Sequence, residues 1–529
     1  MSEGSTVYVV GSGPAGVACA SGLVGRGLQV VMLDGGLTLE PERQAALNSL
    51  NGRRPEEWDP AVIASFKERV VADAGGVQMK YIYGSDFPYQ HIDRLLPRRA
   101  RDVGHLTPSL AQGGFSNIWG AALLPYTAAD IASWPVTPAE LDPHYRAVLS
   151  FMGVSARTDG LAKEFPLHSE RLGDLKPSRQ AAELLTRMNR HRDALQARGL
   201  TFGSSRLAVN AAPCVYCGLC MYGCPYGLIY SSSQTLAHLK ARPDFHYQDG
   251  VIVRRVEEFA GGARVHAEVL ATGEARAFDG AALFLAAGVL PTTRILLESL
   301  EAWDRPLELK VSEYFLLPLL SYRKAADVQA EKIHTLAQVF VECLDRRVSE
   351  RSVHMQVYTY SDLYEKALRR TLRLAGPLLR LIEPEILGRM LIIQGYLHSD
   401  VSSRISVRLL PDEKHTLVLE GATDPGAART IKRVVSALTA ARAQFGAVPL
   451  RPMLQIGRPG DGRHAGGTFP MSAAPGDFQS DRLGRPRGFS RVYAVDATVL
   501  PTIPAPPITF NVMANAHRIA DAYAREVRR

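Results

Sequence analysis

The sequence predicts a protein of the α/β class, with a nucleotide-binding domain on a parallel sheet and an α+β domain that contains an antiparallel sheet. Residues 7–34 read as strand, glycine-rich turn, helix and strand, and two further apolar runs, at 281–288 and 492–496, are typical of buried strands. Between residues 301 and 455 apolar and polar residues alternate in several segments, which indicates the antiparallel sheet. The expected divisions are a nucleotide-binding domain over 1–300, with insertions at about 40–100 and 130–205 and a cysteine-rich segment at 210–230, a second domain over 301–455, and a return to the first domain over 456–529.

The glycine-rich turn is the most informative part of the first unit. Gly11, Gly13 and Gly16 fit a tight turn, close approach of the backbone to a pyrophosphate, and close packing of helix on strand. Because a helix begins there, its first N–H groups and its positive dipole end are available to phosphate oxygens. Asp34 ends the second strand, 18 residues after Gly16, where a carboxylate can accept hydrogen bonds from a ribose and disfavours a 2′-phosphate. The unit predicts dinucleotide binding and leaves NAD and FAD both open.

Composition excludes several classes of protein. The chain has 529 residues, of which 46% are hydrophobic and 22% charged, as in a globular protein with more than one domain. Its net charge of +8 is spread along the chain without a basic stripe interleaved with aromatic residues, so we expect no nucleic-acid partner. No export signal and no apolar run long enough to span a bilayer are present, so we expect a cytoplasmic protein, unless an exported partner carries it across a membrane.

Four of the six cysteines lie within eleven residues, and a cluster of this kind is typical of a metal site rather than a disulfide framework. They are Cys214, Cys217, Cys220 and Cys224. Spacings of two residues let successive thiolates surround an iron–sulfur cubane, whereas structural zinc sites split their cysteines into two separated pairs. In two-cluster ferredoxins the fourth cysteine binds the other cluster, so a three-iron cluster, or help from Cys343 or Cys19, is an alternative. We expect Cys224 to be the fourth ligand of a [4Fe–4S] cluster, in preference to [3Fe–4S].

Motifs from one end of the chain to the other resemble those of the glucose–methanol–choline (GMC) flavoprotein oxidoreductases. They are the glycine motif at 11–16 with Asp34, the loop at 112–120, the run at 134–145, the strand at 284–288 with Thr293 and Arg294, the loop at 464–468 and the segment 492–521. The chain is most similar to the sugar and gluconate dehydrogenase branch, and the cysteine cluster is an addition to the family pattern. The resemblance implies FAD as the cofactor, bound without a covalent link because Ile118 occupies the position of the histidine that tethers FAD in some relatives.

The resemblance also implies site residues. Those expected to contact the cofactor are Gly11, Gly13, Pro14, Ala15, Gly16, Asp34, Gly35, Gly114, Asn117, Trp119, Val253, Ala287, Asp496, Ala497 and Thr509. His464 is the expected catalytic base, since a histidine accepts a proton at neutral pH, although it could instead hydrogen-bond loop carbonyls. The family usually has a second polar catalytic group where this chain has Pro507. Asn511, one turn further on, is a candidate for that role or a buried asparagine that ties the start of the last helix.

These features together predict a dehydrogenase that oxidises a CH–OH group of a sugar, cyclitol or related alcohol. The cluster would pass electrons to a ferredoxin, a cytochrome or a quinone, unless its role is structural. One alternative is a reductase acting on an unsaturated, lipid-like substrate, which the leucine-rich, basic segment 367–391 favours. That segment also allows peripheral contact with a membrane, although an ordinary packed helix pair would have the same composition. A second alternative is a non-catalytic electron carrier.

Overall fold

The computed structural model describes residues 6–68, 71–72, 78–375 and 383–528. Its first layer is a five-stranded parallel sheet made of short apolar strands that are buried on both faces. In spatial order the strands are Val492–Ala494, Ala282–Leu285, Val7–Val10, Val30–Leu33 and Phe245–Gln248. At the centre Val9 lies opposite Phe284 on one side and Met32 on the other. The sheet therefore joins the two ends of the chain, as the sequence predicts.

Helices with small side chains cover this sheet. The first helix, Pro14–Val24, packs against the last helix, Ile508–Glu526, at a short distance, because a Cβ on Gly22 would lie 3.0 Å from the Cβ of Ala520. The helix Ser232–Lys240 lies beside the first helix, and Pro138–Ser150 packs against the last. A three-stranded antiparallel sheet and the helix Val289–Ser299 complete this domain; the three strands are Val251–Phe259, Gly262–Val269 and Ala275–Gly280.

The second domain is built on a seven-stranded antiparallel sheet. In order its strands are Ala447–Pro449, Tyr314–Ser321, Met390–Leu397, Val353–Tyr358, Val339–Cys343 and Leu200–Ser204, with Gln455–Ile456 paired to Tyr314–Ser321. Because side chains alternate across a strand, one face is apolar and is covered by the helices Arg179–Arg190 and Pro425–Ala440. The other face carries Tyr314, His354 and Tyr396. The predicted antiparallel sheet is confirmed, and one of its strands, Leu200–Ser204, comes from the expected insertion.

A fourth sheet, which is mixed, lies between the parallel sheet and the seven-stranded sheet in the chain's connections and pairs strands from both domains. Its strands are Ala465–Gly466, Leu307–Val311, Arg404–Leu409, Leu417–Ala422 and Arg98–Arg101. Ala465 lies opposite Val311, so the loop that holds His464 is anchored on this sheet. The domain boundaries themselves stay a prediction.

The remaining elements are short. The helices are Pro41–Leu50, Pro60–Lys67, Ile92–Leu95, Arg192–Gln196, Asp362–Ala375, Glu383–Leu387 and Arg442–Phe445, and a small hairpin pairs Val71–Ala72 with Gln78–Met79. Part of the leucine-rich segment 367–391, residues 376–382, lies outside the described residues. Within the described part of that segment, Arg369 forms ion pairs with Glu365 and Glu383. Across all the described ranges, no helix combines the length and the apolar character that crossing a membrane requires.

Candidate cofactor cleft and catalytic loop

A long cleft opens at the carboxyl ends of the parallel strands and has about 1430 Å³ of empty space, including its open mouth. This edge of a parallel sheet is where nucleotide cofactors bind. Twelve of the fifteen predicted cofactor-contacting residues line the cleft: Gly11, Gly13, Pro14, Ala15, Asp34, Gly35, Gly114, Val253, Ala287, Asp496, Ala497 and Thr509. The other three, Gly16, Asn117 and Trp119, are not among its lining residues.

Each of the three motif glycines meets a different geometric requirement. Gly11 has φ 98°, and a Cβ there would lie 2.6 Å from the carbonyl oxygen of Ala286. Gly16 packs the helix on the strand, since its Cβ would lie 1.8 Å from the carbonyl oxygen of Gly11. A Cβ on Gly13 would meet nothing within 4 Å. Space is therefore left beside the N-terminus of the first helix, where no side chain caps the N–H groups and a phosphate would be bound.

Asp34 is held at the end of its strand by hydroxyl donors. The Ser12 hydroxyl donates to its carboxylate at 2.5 Å and the Tyr247 hydroxyl at 2.8 Å. Burial raises the pKa of Asp34 to about 6, and these hydrogen bonds oppose part of that rise. Asp34 remains an acceptor facing the cleft, as ribose recognition requires. The Ser12 hydroxyl also accepts the Gly113 N–H at 2.9 Å, which ties the motif to the loop of residues 112–120, here called the second glycine loop.

The second glycine loop forms one wall of the cleft through Gly114 and Phe115. The Asn117 amide holds the loop from within by donating to the carbonyl oxygens of Gln112 and Gly114, at 2.9 and 2.7 Å. Trp119 faces away and donates from its indole nitrogen to the Tyr230 carbonyl at 2.8 Å. Asn117 and Trp119 thus shape the wall without lining the cleft.

Asp496 fixes the opposite wall. Its carboxylate accepts the Gly288 N–H at 2.9 Å, the Thr292 hydroxyl at 2.6 Å and the Thr498 N–H at 2.9 Å. Burial raises the pKa of this carboxyl group, and the three donors lower it. The next residue, Ala497, accepts the Gly467 N–H at 2.9 Å, so this wall and the loop of His464 are hydrogen-bonded to each other.

His464 follows Arg463 and precedes Ala465, which both line the cleft, but it is not itself among the lining residues. Its ring stacks on Tyr396 of the seven-stranded sheet, with 4.8 Å between ring centroids and 25° between planes. The Nδ1 atom is buried and has no hydrogen-bond partner among the described residues. Burial, with a smaller contribution from His354, lowers the pKa of His464 to about 3, so the imidazole is neutral at physiological pH. The ring is fixed by stacking and has a nitrogen atom available to a bound molecule.

A buried carboxylate braces the loop before His464. Asp461 accepts the backbone N–H of His105 at 3.1 Å and that of Arg458 at 2.8 Å. Arg463 has φ 56°, a left-handed conformation that is uncommon for a residue with a side chain and often found at functional sites. The loop is therefore held in an unfavourable conformation by contacts on either side of it.

Asn511 lies in the first turn of the last helix, and its amide is fully used by other protein groups. The nitrogen donates to the carbonyl oxygens of Leu124 and Pro507, both at 2.9 Å. The oxygen accepts the Tyr126 N–H at 2.8 Å and the Tyr145 hydroxyl at 2.5 Å. Four hydrogen bonds of this kind favour the structural interpretation of Asn511 over the catalytic one.

A tyrosine-lined face of the seven-stranded sheet lies next to His464. The rings of Tyr314 and Tyr396 are 5.5 Å apart, and those of Tyr358 and Tyr364 are 6.3 Å apart. Burial raises the pKa of all four phenols, so they are neutral hydroxyl groups. Such a surface can stack on the non-polar face of a substrate and hydrogen-bond to its polar edge.

The four cysteines lie in a loop of residues 210–230, here called the cysteine loop. The Leu228 N–H donates to the sulfur of Cys224 at 3.4 Å. The hydroxyl of Thr335, which precedes the strand Val339–Cys343, donates to the Gly218 carbonyl of this loop at 3.4 Å. Hydrogen bonds to the sulfurs are one of the ways in which proteins tune iron–sulfur clusters.

The four thiols interact electrostatically with one another. Burial and then neighbouring thiols raise the pKa of Cys217 to about 12, and burial and neighbours also raise that of Cys220 to about 11. No group of three or more His, Cys, Asp or Glu side chains in the described ranges is close enough together to hold one metal ion. The metal site predicted at the four cysteines is therefore not shown by the described residues and stays a prediction.

Comparisons with known proteins give a structural match only. No protein-family model matches the chain, and no curated protein matches it. Among solved structures, the crystal structure of pyridoxine 4-oxidase from Mesorbium loti matches with a TM-score of 0.60, over 98% of this chain and 99% of that chain, at 16% sequence identity. The chain therefore shares the fold of this solved structure, in which a parallel sheet is combined with an α+β part that contains an antiparallel sheet, as the sequence analysis predicts.

Some residues of the site carry no recognisable signal in the sequence. Ser12 and Tyr247 bind Asp34, Thr335 donates to the Gly218 carbonyl, and Lys80 donates to the Trp119 carbonyl at 3.1 Å. Only Ser12 lies within a motif, and it occupies a position at which the glycine motif accepts any residue. The other residues reach the site through contacts between segments that are far apart in the sequence.

Replacement of Gly13 by Val should remove bound flavin while the protein stays folded. The new side chain would meet empty space in the protein and would fill the position left for the phosphates. We expect flavin absorbance per protein to fall at least tenfold, with an unchanged far-UV circular dichroism spectrum. Gly11→Val is the matched comparison, because its side chain would collide with Ala286 and should unfold the protein. Wild-type flavin content in the Gly13 variant would contradict this assignment of the cleft.

Replacement of Asn511 by Ala should destabilise the protein rather than block its chemistry. It removes four buried hydrogen bonds, and we expect a loss of about 3 kcal/mol of stability and a lower Tm. The rate of substrate-driven reduction per bound flavin should stay within about threefold of wild type. An unchanged Tm combined with a large loss of that rate would make Asn511 a catalytic residue.

Proposed function

We propose that the chain is an FAD-dependent oxidoreductase of the GMC type that oxidises a CH–OH group and passes the electrons through an iron–sulfur cluster to an external acceptor. The observation that carries this proposal is a cleft lined by twelve predicted cofactor residues and by Arg463 and Ala465, the two neighbours of His464, whose buried Nδ1 atom has no partner among the described residues. The fold shared with pyridoxine 4-oxidase supports it. Empty space beside Gly13 and uncapped helix N–H groups fit the pyrophosphate of FAD.

The work of the protein in this reaction is to position the alcohol and remove its hydroxyl proton. Bound FAD supplies the acceptor for the hydride that leaves carbon. The neutral His464 imidazole takes the proton, and the substrate becomes a carbonyl compound. Stacking on Tyr396 keeps the ring oriented, and burial excludes water from the reacting atoms. With Pro507 in place of the usual second polar group, His464 is the proposed base without a partner on the last helix.

The substrate is proposed to be a sugar, cyclitol or related alcohol. The tyrosine-lined face beside His464 adds a second possibility to test, an alcohol group on a flat ring. Pyridoxine, after which the solved neighbour is named, has such a group, and that substrate is a property of the neighbour. A panel of glucose, myo-inositol, pyridoxine and benzyl alcohol separates these classes.

The four cysteines are proposed to hold a [4Fe–4S] cluster, which supplies a one-electron path out of the protein. Two features support an exit role over a structural one. Residues 80–83 link the loop to the second glycine loop, because the Lys80 ammonium group donates to the Trp119 carbonyl and the Tyr83 hydroxyl to the Cys224 carbonyl. Ala212, Pro213 and Gly227 are exposed to solvent. A small ferredoxin, a cytochrome or a quinone can therefore approach the loop from outside.

Replacement of His464 by Ala should abolish reduction of the flavin by substrate. The hydroxyl proton then has no acceptor, and general-base catalysis typically contributes about 10²–10⁴-fold to a rate. Stopped-flow absorbance under anaerobic conditions measures this step, and flavin content is the control for an intact cleft. Because the pKa of His464 is about 3, its protonation should not limit the wild-type rate between pH 5 and 8. Substrate-driven reduction that survives the substitution unchanged would show that His464 is not the base.

Replacement of Cys220 by Ala should remove the exit path and leave alcohol oxidation in place. Wild-type protein should contain about four iron and four sulfide per flavin, as the assigned [4Fe–4S] cluster has. The variant should lose most of this iron, retain flavin reduction by alcohol, and lose electron transfer to an external one-electron acceptor. Cys343→Ala is the control, since that buried cysteine lies on a strand of the second domain and should not change iron content. Wild-type protein with flavin but without iron would contradict the cluster and favour a simple oxidase.

A further inference from the structure

The Tyr396 ring is the surface against which His464 packs. The two rings are nearly parallel, with 25° between their planes and 4.8 Å between their centroids. The loop before the histidine packs on the same tyrosine, since a Cβ on Gly462 would lie 3.7 Å from Tyr396 Cδ1. The Ser312 N–H donates to the His464 carbonyl at 3.0 Å, which holds the loop at the end of the strand Leu307–Val311. Each ring therefore has a fixed position relative to the other.

The Tyr396 hydroxyl has no partner within the protein. It forms no hydrogen bond with a described residue, and its oxygen is not among the unpaired atoms that the fold seals off from solvent. Tyr126 is the contrast, because its hydroxyl also lacks a partner but is sealed. Tyr396 keeps 9% of its surface accessible. An unpaired hydroxyl in a buried place costs stability, and a phenylalanine ring would stack on His464 equally well. A phenol is therefore useful at this position if a bound molecule completes its hydrogen bonding.

The two side chains have complementary roles as donor and acceptor. Burial raises the pKa of Tyr396 to about 12, so its hydroxyl has a proton to donate, and the neutral His464 imidazole can accept at its unpartnered Nδ1 atom. Because the rings are nearly parallel, their edges lie about as far apart as their centroids. Two hydrogen bonds of about 2.8 Å that meet at one oxygen atom join groups about 4.6 Å apart. One alcohol oxygen can thus donate to the histidine and accept from the tyrosine.

The start of the last helix offers no polar side chain at the position where GMC relatives usually have one. Pro507 immediately precedes the helix, and Ala505, two residues earlier, lies in a buried cluster with Tyr314 and Tyr396. Tyr396 contacts both this cluster and the ring of His464. Its hydroxyl is therefore available to replace the missing group.

We propose that Tyr396 is a second catalytic residue, whose hydroxyl donates a hydrogen bond to the alcohol oxygen while His464 removes the hydroxyl proton. This inference rests on the proposed oxidation of a CH–OH group. The oxygen gains negative charge as its proton passes to the histidine, and the hydrogen bond from the tyrosine stabilises that charge until hydride has left carbon and the carbonyl has formed. Tyr396 keeps its own proton throughout, so the step needs no further acid or base.

Tyr396→Phe tests the hydroxyl alone, because the new ring can still stack on His464. Tyr126→Phe is the matched control, since it removes a buried unpaired hydroxyl that no ligand can reach. Tyr145→Phe is the positive control for stability, because it removes the donor of a 2.5 Å hydrogen bond to Asn511. Flavin content, Tm and the anaerobic rate of flavin reduction by the alcohol panel are measured on whole protein for wild type and all three variants.

The expected result for Tyr396→Phe is slow flavin reduction in a protein that is otherwise intact. The rate should fall about 10²–10³-fold, the usual effect of losing one donor to a developing oxyanion. The loss should be in kcat more than in KM, because the hydrogen bond strengthens in the transition state. Flavin content should not change, and Tm should equal or exceed that of wild type, since no protein partner is lost. Tyr126→Phe should keep the wild-type rate, whereas Tyr145→Phe should have a lower Tm.

Two results would overturn the inference while the proposed function stands. In the first, Tyr396→Phe reduces its flavin at the wild-type rate although His464→Ala does not, so that the tyrosine only stacks. In the second, Tyr396→Phe is slow but also has a lower Tm or a lower flavin content, as expected of a structural residue. A wild-type protein whose flavin is reduced by no alcohol of the panel would instead overturn the proposed function, and this inference with it.

Discussion

The close contact between the glycine motif and the central strands is the constraint on which the rest of the structure depends. Gly11 approaches the Ala286 carbonyl, and Gly16 approaches the Gly11 carbonyl, at distances that no other residue tolerates. This contact aligns the strand from the start of the chain with the strand at 282–285 and aims the first helix at the cleft. The cleft has its shape because these backbones touch.

From that contact a few hydrogen bonds lead to the loop of His464, beside an apolar core that runs from the parallel sheet to the seven-stranded sheet. Asp496 connects the wall after the strand at 492–494 to Gly288, and Ala497 connects it to Gly467. The adjoining segment at 465–466 pairs with the strand Leu307–Val311 of the mixed sheet, and the His464 ring stacks on Tyr396. His464 therefore takes its position from both domains at once. If His464 is the base proposed above, these contacts fix its orientation without a partner on the last helix, where the chain has Pro507.

Most of the cofactor side of this molecule can be predicted from the sequence, because its signals are local. Glycines at fixed spacing, short β-branched strands and the terminal Asp34 each have a direct geometric meaning, and twelve of fifteen predicted residues line the cleft. The rest depends on contacts between distant segments. Lys80 lies in a polar stretch without periodicity, and Leu200–Ser204 reaches the seven-stranded sheet only by pairing with Val339–Cys343. The hydrogen bonds of Asn511 to Leu124 and Tyr126 likewise follow from packing of the last helix. Residue type alone does not distinguish such a tie from a catalytic amide.

Thr335 has a consequence for how the protein matures. Its hydroxyl donates to the Gly218 carbonyl of the cysteine loop at 3.4 Å, and Ile333 bridges to Cys217, although both residues lie more than one hundred positions further along the chain. The loop is therefore complete only after the segment before the strand Val339–Cys343 has folded against it. If the cysteines hold the proposed cluster, its insertion is expected to follow folding of the second domain. A chain whose second domain is misfolded would then contain no iron, so iron content would report on the folding of both domains.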